Sequence, residues 1–168
     1  KFFKVDQNPL NQSCLLECFE KGRLENTLSR FRLGDRNWLV LSLEFGPREP
    51  VMEWASDVLQ RHPSDPAILV THEYIDHRSM VQTGEPRHTT PETHNSPYTY
   101  GVAIEEGSVH CGEEIWEKLA RSQSRIRLVL NGHYRPWQRD ESDRVVPADG
   151  VASAERRDRR EDGTEVHQ

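Results

Sequence analysis

The stretch from residue 37 to residue 71 constrains the fold more than any other part of this 168-residue chain. Its first part, NWLVLSLEF, is a β-branched and leucine-rich run of the kind buried in a mostly parallel sheet. Gly46-Pro47 breaks it. Val51, Trp54, Ala55, Val58 and Leu59 then fall at i, i+3, i+4, i+7 and i+8, one apolar stripe along a helix. Pro50 suits the first helical turn, where its missing N–H costs nothing, and His62-Pro63 ends the helix. The run Ala67, Ile68, Leu69, Val70 follows. Strand, amphipathic helix, strand is a βαβ unit. The helix over 50–61 is expected to bury Val51, Trp54, Val58 and Leu59 against one face of the sheet.

Other elements attach to this unit. Residues 27–33 alternate in part, and the turn pair Gly34-Asp35 joins them to the strand from 37, which predicts a β-hairpin. Residues 113–121 pair Ile115 and Trp116 with Leu119 and Ala120, a second helix. It feeds a third apolar run, Ile126 to Leu130. The fold class is therefore α/β, a mixed sheet with flanking helices in which 37–45, 67–71 and 126–130 are the expected central strands. A short helix is expected over 14–20. Between 75 and 110 the pattern dissolves into a loop holding four of the eight histidines, His77, His88, His94 and His110. Loops of that length inside a domain are usually functional or disordered. From 138 onward the sequence is polar and of mixed charge, so a solvated tail without stable packing is expected after a domain spanning 1–137.

Composition narrows the function classes. A net charge of −6 without a dense Lys/Arg stripe before the tail disfavours a nucleic-acid surface. The longest apolar stretch, 38–45, is too short to cross a bilayer. Cys14, Cys18 and Cys111 are too few for a disulfide framework and do not fix a compartment. Cys14 and Cys18 read as two ordinary thiols. The chain begins at Lys1 rather than Met, and an upstream segment is expected.

Two strands lead into histidines. His72 follows the 67–70 run. His133 follows the 126–130 run and the turn pair Asn131-Gly132. Ligands of open α/β sheets bind outside the carboxyl ends of the strands, and a neutral imidazole there is a ligand for zinc, iron or manganese. One such histidine is more often a hydrogen-bonded structural residue. Two on neighbouring βα units define a candidate site, with Glu44 and Glu73 on the same rim. THEYIDH resembles the HExxH zinc signature with one residue too many. Positions i and i+5 lie about 140° apart on a helix, so His72 and His77 cannot share an ion that way. The sequence contains no G-x-S-x-G elbow, phosphate-binding P-loop, G-x-G-x-x-G turn or C-x-x-C pair.

Taken as an ordered set, NWLVLSLEFGPREPVMEWASDVLQRHPSDPAILVTHEY, GEEIWEKL and LVLNGHYRP resemble the C-terminal half of a bacterial calcineurin-like metallophosphoesterase. The closing GTEVHQ resembles a strand near the end of that domain. The resemblance implies part of an α/β/β/α sandwich carrying two divalent ions of iron, zinc or manganese type. It implies hydrolysis of a phosphate mono- or diester substrate, with His72 the lone strand-end ligand and His133 the first histidine of a Gly-His-x-His motif. Here that motif reads Gly132-His133-Tyr134-Arg135, so arginine replaces its second histidine. The family's Asp-x-His, Gly-Asp-x-x-Asp and Gly-Asn-His-Asp/Glu motifs are absent from the sequence. A two-metal site clamps phosphate oxygens and activates a bridging water, which two histidines alone cannot do. The chain by itself is thus expected to be an inactive portion of such an enzyme, or alternatively a non-catalytic α/β module that binds a ligand or partner. Arg135 reads equally as a phosphate contact or as a surface arginine.

Overall fold

A computed structural model describes residues 4–76, 87–105, 107–133, 137–139, 145–147, 158–159 and 165–166. The chain divides into two compact units, Lys1–Ile75 with His88–His133, and Asp76–Arg87 with Tyr134–Gln168.

The first unit is α/β and is built on a mixed five-stranded sheet of order β1-β2-β3-β4-β7. Its strands are β1 (Leu15–Cys18), β2 (Thr27–Leu33), β3 (Arg36–Ser42), β4 (Ala67–Val70) and β7 (Ile126–Leu130). The short β5 (Ile75–Asp76) and β6 (Arg87–His88) come between β4 and β7 in the chain. β2 and β3 form the expected hairpin, antiparallel from Thr27 opposite Ser42 to Leu33 opposite Arg36. Gly34 turns it at φ 63°, a left-handed conformation that glycine adopts without steric cost. β3, β4 and β7 run parallel. Their carboxyl ends therefore share one rim and their amino ends the other.

Helix α2 (Glu49–Gln60) crosses over between β3 and β4. Its Val51, Met52, Ala55, Val58 and Leu59 meet Leu28, Leu39, Leu41, Ala67 and Leu69 of the sheet in one buried cluster. The alternation Leu39, Leu41 and Ala67, Leu69 is the two-residue period of one sheet face. Each large apolar side chain buried there contributes roughly 1.5–3 kcal/mol. Ile115 and Leu119 join the same core.

Several expectations need correction. Trp54 is only partly buried. It packs edge-on against Phe19 with ring centroids 5.9 Å apart, and its Nε1–H donates to Glu17 Oε1 at 2.8 Å. An indole N–H needs a polar partner, which holds the ring at the margin of the core. The helix expected over 14–20 does not form, and only Cys14 of that range is helical. α1 (Pro9–Cys14) ends where β1 begins, because Leu15–Cys18 pair with β2. β3 stops at Ser42, although the Leu43 N–H still donates to Val70 O at 2.9 Å. Among the described strands β7 lies at the edge of the sheet rather than its centre, with Leu128 and Leu130 about half exposed. The segment after residue 111 starts as α3 (Gly112–Ile115) and widens to a π-helix over Trp116–Ala120, closed by Arg121 N–H to Trp116 O at 2.9 Å.

The excursion between β6 and α3 is tied at its base. Thr89 N–H donates to Tyr74 O, Gly112 N–H donates to Thr89 Oγ1 at 2.8 Å, and Glu113 N–H donates to Thr89 O at 2.9 Å. Gly112 has no alternative here, since a Cβ would lie 2.0 Å from Tyr74 O. Farther out, the Tyr98 hydroxyl lies 2.7 Å from Val109 O and 3.0 Å from both carboxylate oxygens of Glu114. Gly46, at φ 62°, lets Pro97 approach to 2.7 Å from where its Cβ would stand.

In the second unit, β8 (Trp137–Arg139) pairs antiparallel with β9 (Val145–Pro147), and β10 (Asp158–Arg159) with β11 (Glu165–Val166). The rest of the tail, including the charged run 156–162 apart from Asp158–Arg159, lies outside the described residues. Among the described residues no helix is long and apolar enough to cross a membrane.

Candidate functional site

The parallel pairing of β4 with β7 puts His72 and His133 side by side on the carboxyl rim. His72 lies two residues beyond Val70, which pairs with Leu130. The Gly132 N–H donates to His72 O at 3.0 Å, so the segments leaving the two strands remain bonded past the sheet. The imidazoles then meet directly. His133 Nδ1 lies 2.9 Å from His72 Nε2, with ring centroids 4.7 Å apart and planes at 76°.

The neighbouring hydrogen bond sets the tautomers. His133 Nε2 is 2.8 Å from Asn95 O. A carbonyl can only accept, so Nε2 carries the hydrogen and the Nδ1 of a neutral His133 presents its lone pair. His72 must then donate from Nε2. Burial, followed by the nearby His72, holds the His133 imidazole below its usual pKa, against the opposing effect of the Asn95 carbonyl.

Backbone conformation marks the same contact. His133 at φ 71° and Asn95 at φ 66° are the two non-glycine residues with left-handed backbone among the described residues, and they bond to each other. Such a conformation costs about 1–2 kcal/mol per residue outside glycine, less for asparagine. Aromatic rings hold the pair. Phe45 stacks on His133 at 5.1 Å and 28° and meets His72 edge-on at 5.3 Å. Tyr100, an exposed residue, stands edge-on to both Phe45 and His133.

The pair suits a metal in part. His72 Nε2 and His133 Nδ1, now 2.9 Å apart in a hydrogen bond, are the two nitrogens that would hold an ion once both present lone pairs. The His133 Nε2–H to carbonyl bond is the outer contact that metal-bound imidazoles commonly make. His72 would have to move its hydrogen to Nδ1. Among the described residues no group of three or more His, Cys, Asp or Glu side chains is placed to hold an ion, so the residues fit one ion with two protein ligands and do not by themselves fit two ions.

The acids of the sequence reading do not complete this pair. Glu44 is turned to Asn26 and Arg48: Asn26 Nδ2 and Arg48 Nε donate to its carboxylate at 2.9 and 2.8 Å. Burial raises its pKa, but those bonds outweigh it and keep the carboxyl below its usual range. Glu73 is fully buried beneath the rim. Of the loop histidines, His110 is buried and structural. Its Nδ1–H donates to Pro47 O at 2.7 Å, and its Nε2 lies 2.9 Å from Glu49 Oε2 and 2.8 Å from Lys118 Nζ. His88 stacks on Trp116. Arg135 and His77 lie outside the described residues.

Asn95, Phe45 and Tyr100 escaped the sequence reading. Asn95 contributes a backbone carbonyl, which no side-chain pattern advertises. Its one signal is residue type, since asparagine is among the few residues that tolerate the left-handed region. No protein-family model matches the chain, and neither characterised proteins nor solved structures gave a significant match.

Proposed function

We propose that this chain carries the carboxyl-side histidines of a calcineurin-like phosphoesterase site. In this reading His72 Nε2 and His133 Nδ1 share one divalent ion, and hydrolysis of a phosphate ester requires acidic and asparagine ligands that the sequence does not contain. The chain alone then binds zinc or manganese weakly and does not turn over. The observation that supports this best is the strained contact at the rim. His133 and Asn95 both adopt left-handed backbone to make a bond that leaves the His133 Nδ1 lone pair facing His72. Strain of this kind gathers at functional sites. Arg135, two residues past His133, would serve as a phosphate contact in the complete site.

The second reading is a non-catalytic α/β module. The direct hydrogen bond between the imidazoles favours it, because a satisfied pair can act as a clasp between two strand ends. Titration of the chain with Zn²⁺ or Mn²⁺, followed by calorimetry and by imidazole NMR resonances, separates the two. The metal reading expects one weak saturable site lost in both His72→Ala and His133→Ala. Absence of saturable binding, or binding that survives both substitutions, assigns the pair to the clasp.

A further inference from the structure

The amino rim of the same strands carries a second site of opposite character. A cleft of about 400 Å³ opens there, lined by Arg36 and Trp38 of β3, the 63–66 turn before β4, and Ser124, Arg125 and Arg127 around the start of β7. Parallel pairing brings these segments together, since Leu39 is level with Ala67 and Ala67 with Ile126. Three arginines line the cleft against one acidic residue, Asp65. That is a strong local excess of positive charge on a chain whose net charge is −6.

The arginines are not used up by the fold. Arg125 Nη1 donates to Leu59 O, which anchors that guanidinium at the end of α2, while its Nε is buried without a hydrogen-bond partner among the described residues. Arg36 and Arg127 are exposed, and neither makes an ion pair among the described residues. The contrast with Arg23, Arg48, Arg61 and Arg121 is direct, because each of those lies within 3.2 Å of a glutamate. Guanidiniums match phosphate oxygens in geometry and charge. The cleft falls within the size range of small-molecule sites and exceeds what a lone phosphate needs.

We infer that the amino-rim cleft binds a phosphate-bearing small molecule through Arg36, Arg125 and Arg127, with Trp38 forming one wall. The site is separate from the histidine rim, because six residues of extended chain span roughly 15–20 Å, and the inference does not depend on the phosphoesterase reading.

The test is titration of the whole chain at low ionic strength with EDTA present, using inorganic pyrophosphate and, separately, adenosine 5′-monophosphate. The Trp38 indole N–H and the Arg127 amide are followed by NMR. The expected result is a saturable shift of both signals by at least one probe, weakened about tenfold or more in R36A/R127A. Removing the opposing charge in Asp65→Asn should strengthen it. His72→Ala/His133→Ala should leave it unchanged. Tighter binding of the nucleotide than of pyrophosphate identifies a phosphorylated organic molecule as the ligand, and the reverse order an inorganic one. Failure of both probes to saturate, or binding indifferent to R36A/R127A, overturns the inference. Loss of binding in the histidine variant overturns it too, by moving the site to the other rim.

Discussion

The two ends of strands β3, β4 and β7 have opposite degrees of internal satisfaction. At the carboxyl rim hydrogen bonds link His72 to His133 and His133 to Asn95, with Phe45 and Tyr100 against the imidazoles. At the amino rim Arg36 and Arg127 stand open beside a cleft. Parallel pairing creates both, because it gathers all three strand starts at one end and all three strand finishes at the other. A rim whose donors and acceptors already face one another ties two strand ends together, and on the metal reading a small ion would insert between them. A rim of unpaired cations is suited to an anion that arrives with its own acceptors.

The largest test of this contrast is Gly112→Ala. Its Cβ would lie 2.0 Å from Tyr74 O, so the tie at the base of the excursion must break, and a loss of about 3 kcal/mol in urea-induced unfolding is expected. If only the carboxyl side depends on that tie, pyrophosphate binding at the amino rim persists in the folded fraction. Next in size is the salt response. Raising ionic strength toward physiological values should weaken the amino-rim complex several-fold, because exposed charges are screened over about 8–10 Å, while the metal binding proposed for the histidines should change less. Equal salt sensitivity at both rims would erase the distinction.

His133→Ala is expected to lower stability by about 1 kcal/mol, the net worth of a neutral hydrogen bond, and to sharpen the His72 ring resonances as its partner disappears. Unchanged resonances would show that the pair is not formed in solution. The smallest effect is a pH dependence. Burial first, and then His72, depress His133; burial also depresses His88, against Glu113 and Glu117. The unfolded chain therefore takes up these protons first. Their contribution to stability is full above about pH 6.5 and is lost as pH falls through the lower folded values. Glu17, Glu44 and Glu49 are also held low, so a further loss follows below about pH 4.5. A denaturation midpoint that rises on acidification from neutrality would contradict both signs.

The sequence was informative where periodicity and turn chemistry act locally. The apolar stripe from Val51 to Leu59, the Gly34-Asp35 turn and the runs at 67–70 and 126–130 all mark real elements. The meeting of His72 with His133 was legible because parallel neighbours share a register. β1 was not, since four residues carry too little pattern and gain strand structure only by pairing with β2. The arginine cleft was invisible for a different reason. Its residues come from three segments spread between Arg36 and Arg127, and no linear charge run betrays a cluster assembled by the sheet.

The tie between Thr89 and Gly112 has a consequence for how the site can change. The two feet of the excursion are bonded to each other and to Tyr74, so its entrance and exit are fixed independently of what lies between. That intervening segment supplies Asn95 and Tyr100, which face the histidine pair, whereas His72 and His133 come from the segments that leave β4 and β7. Between those feet Asn95, Pro97 and Tyr98 hold the segment to His133, Gly46 and Glu114, so changes to its other side chains would alter what surrounds the imidazoles without loosening the frame.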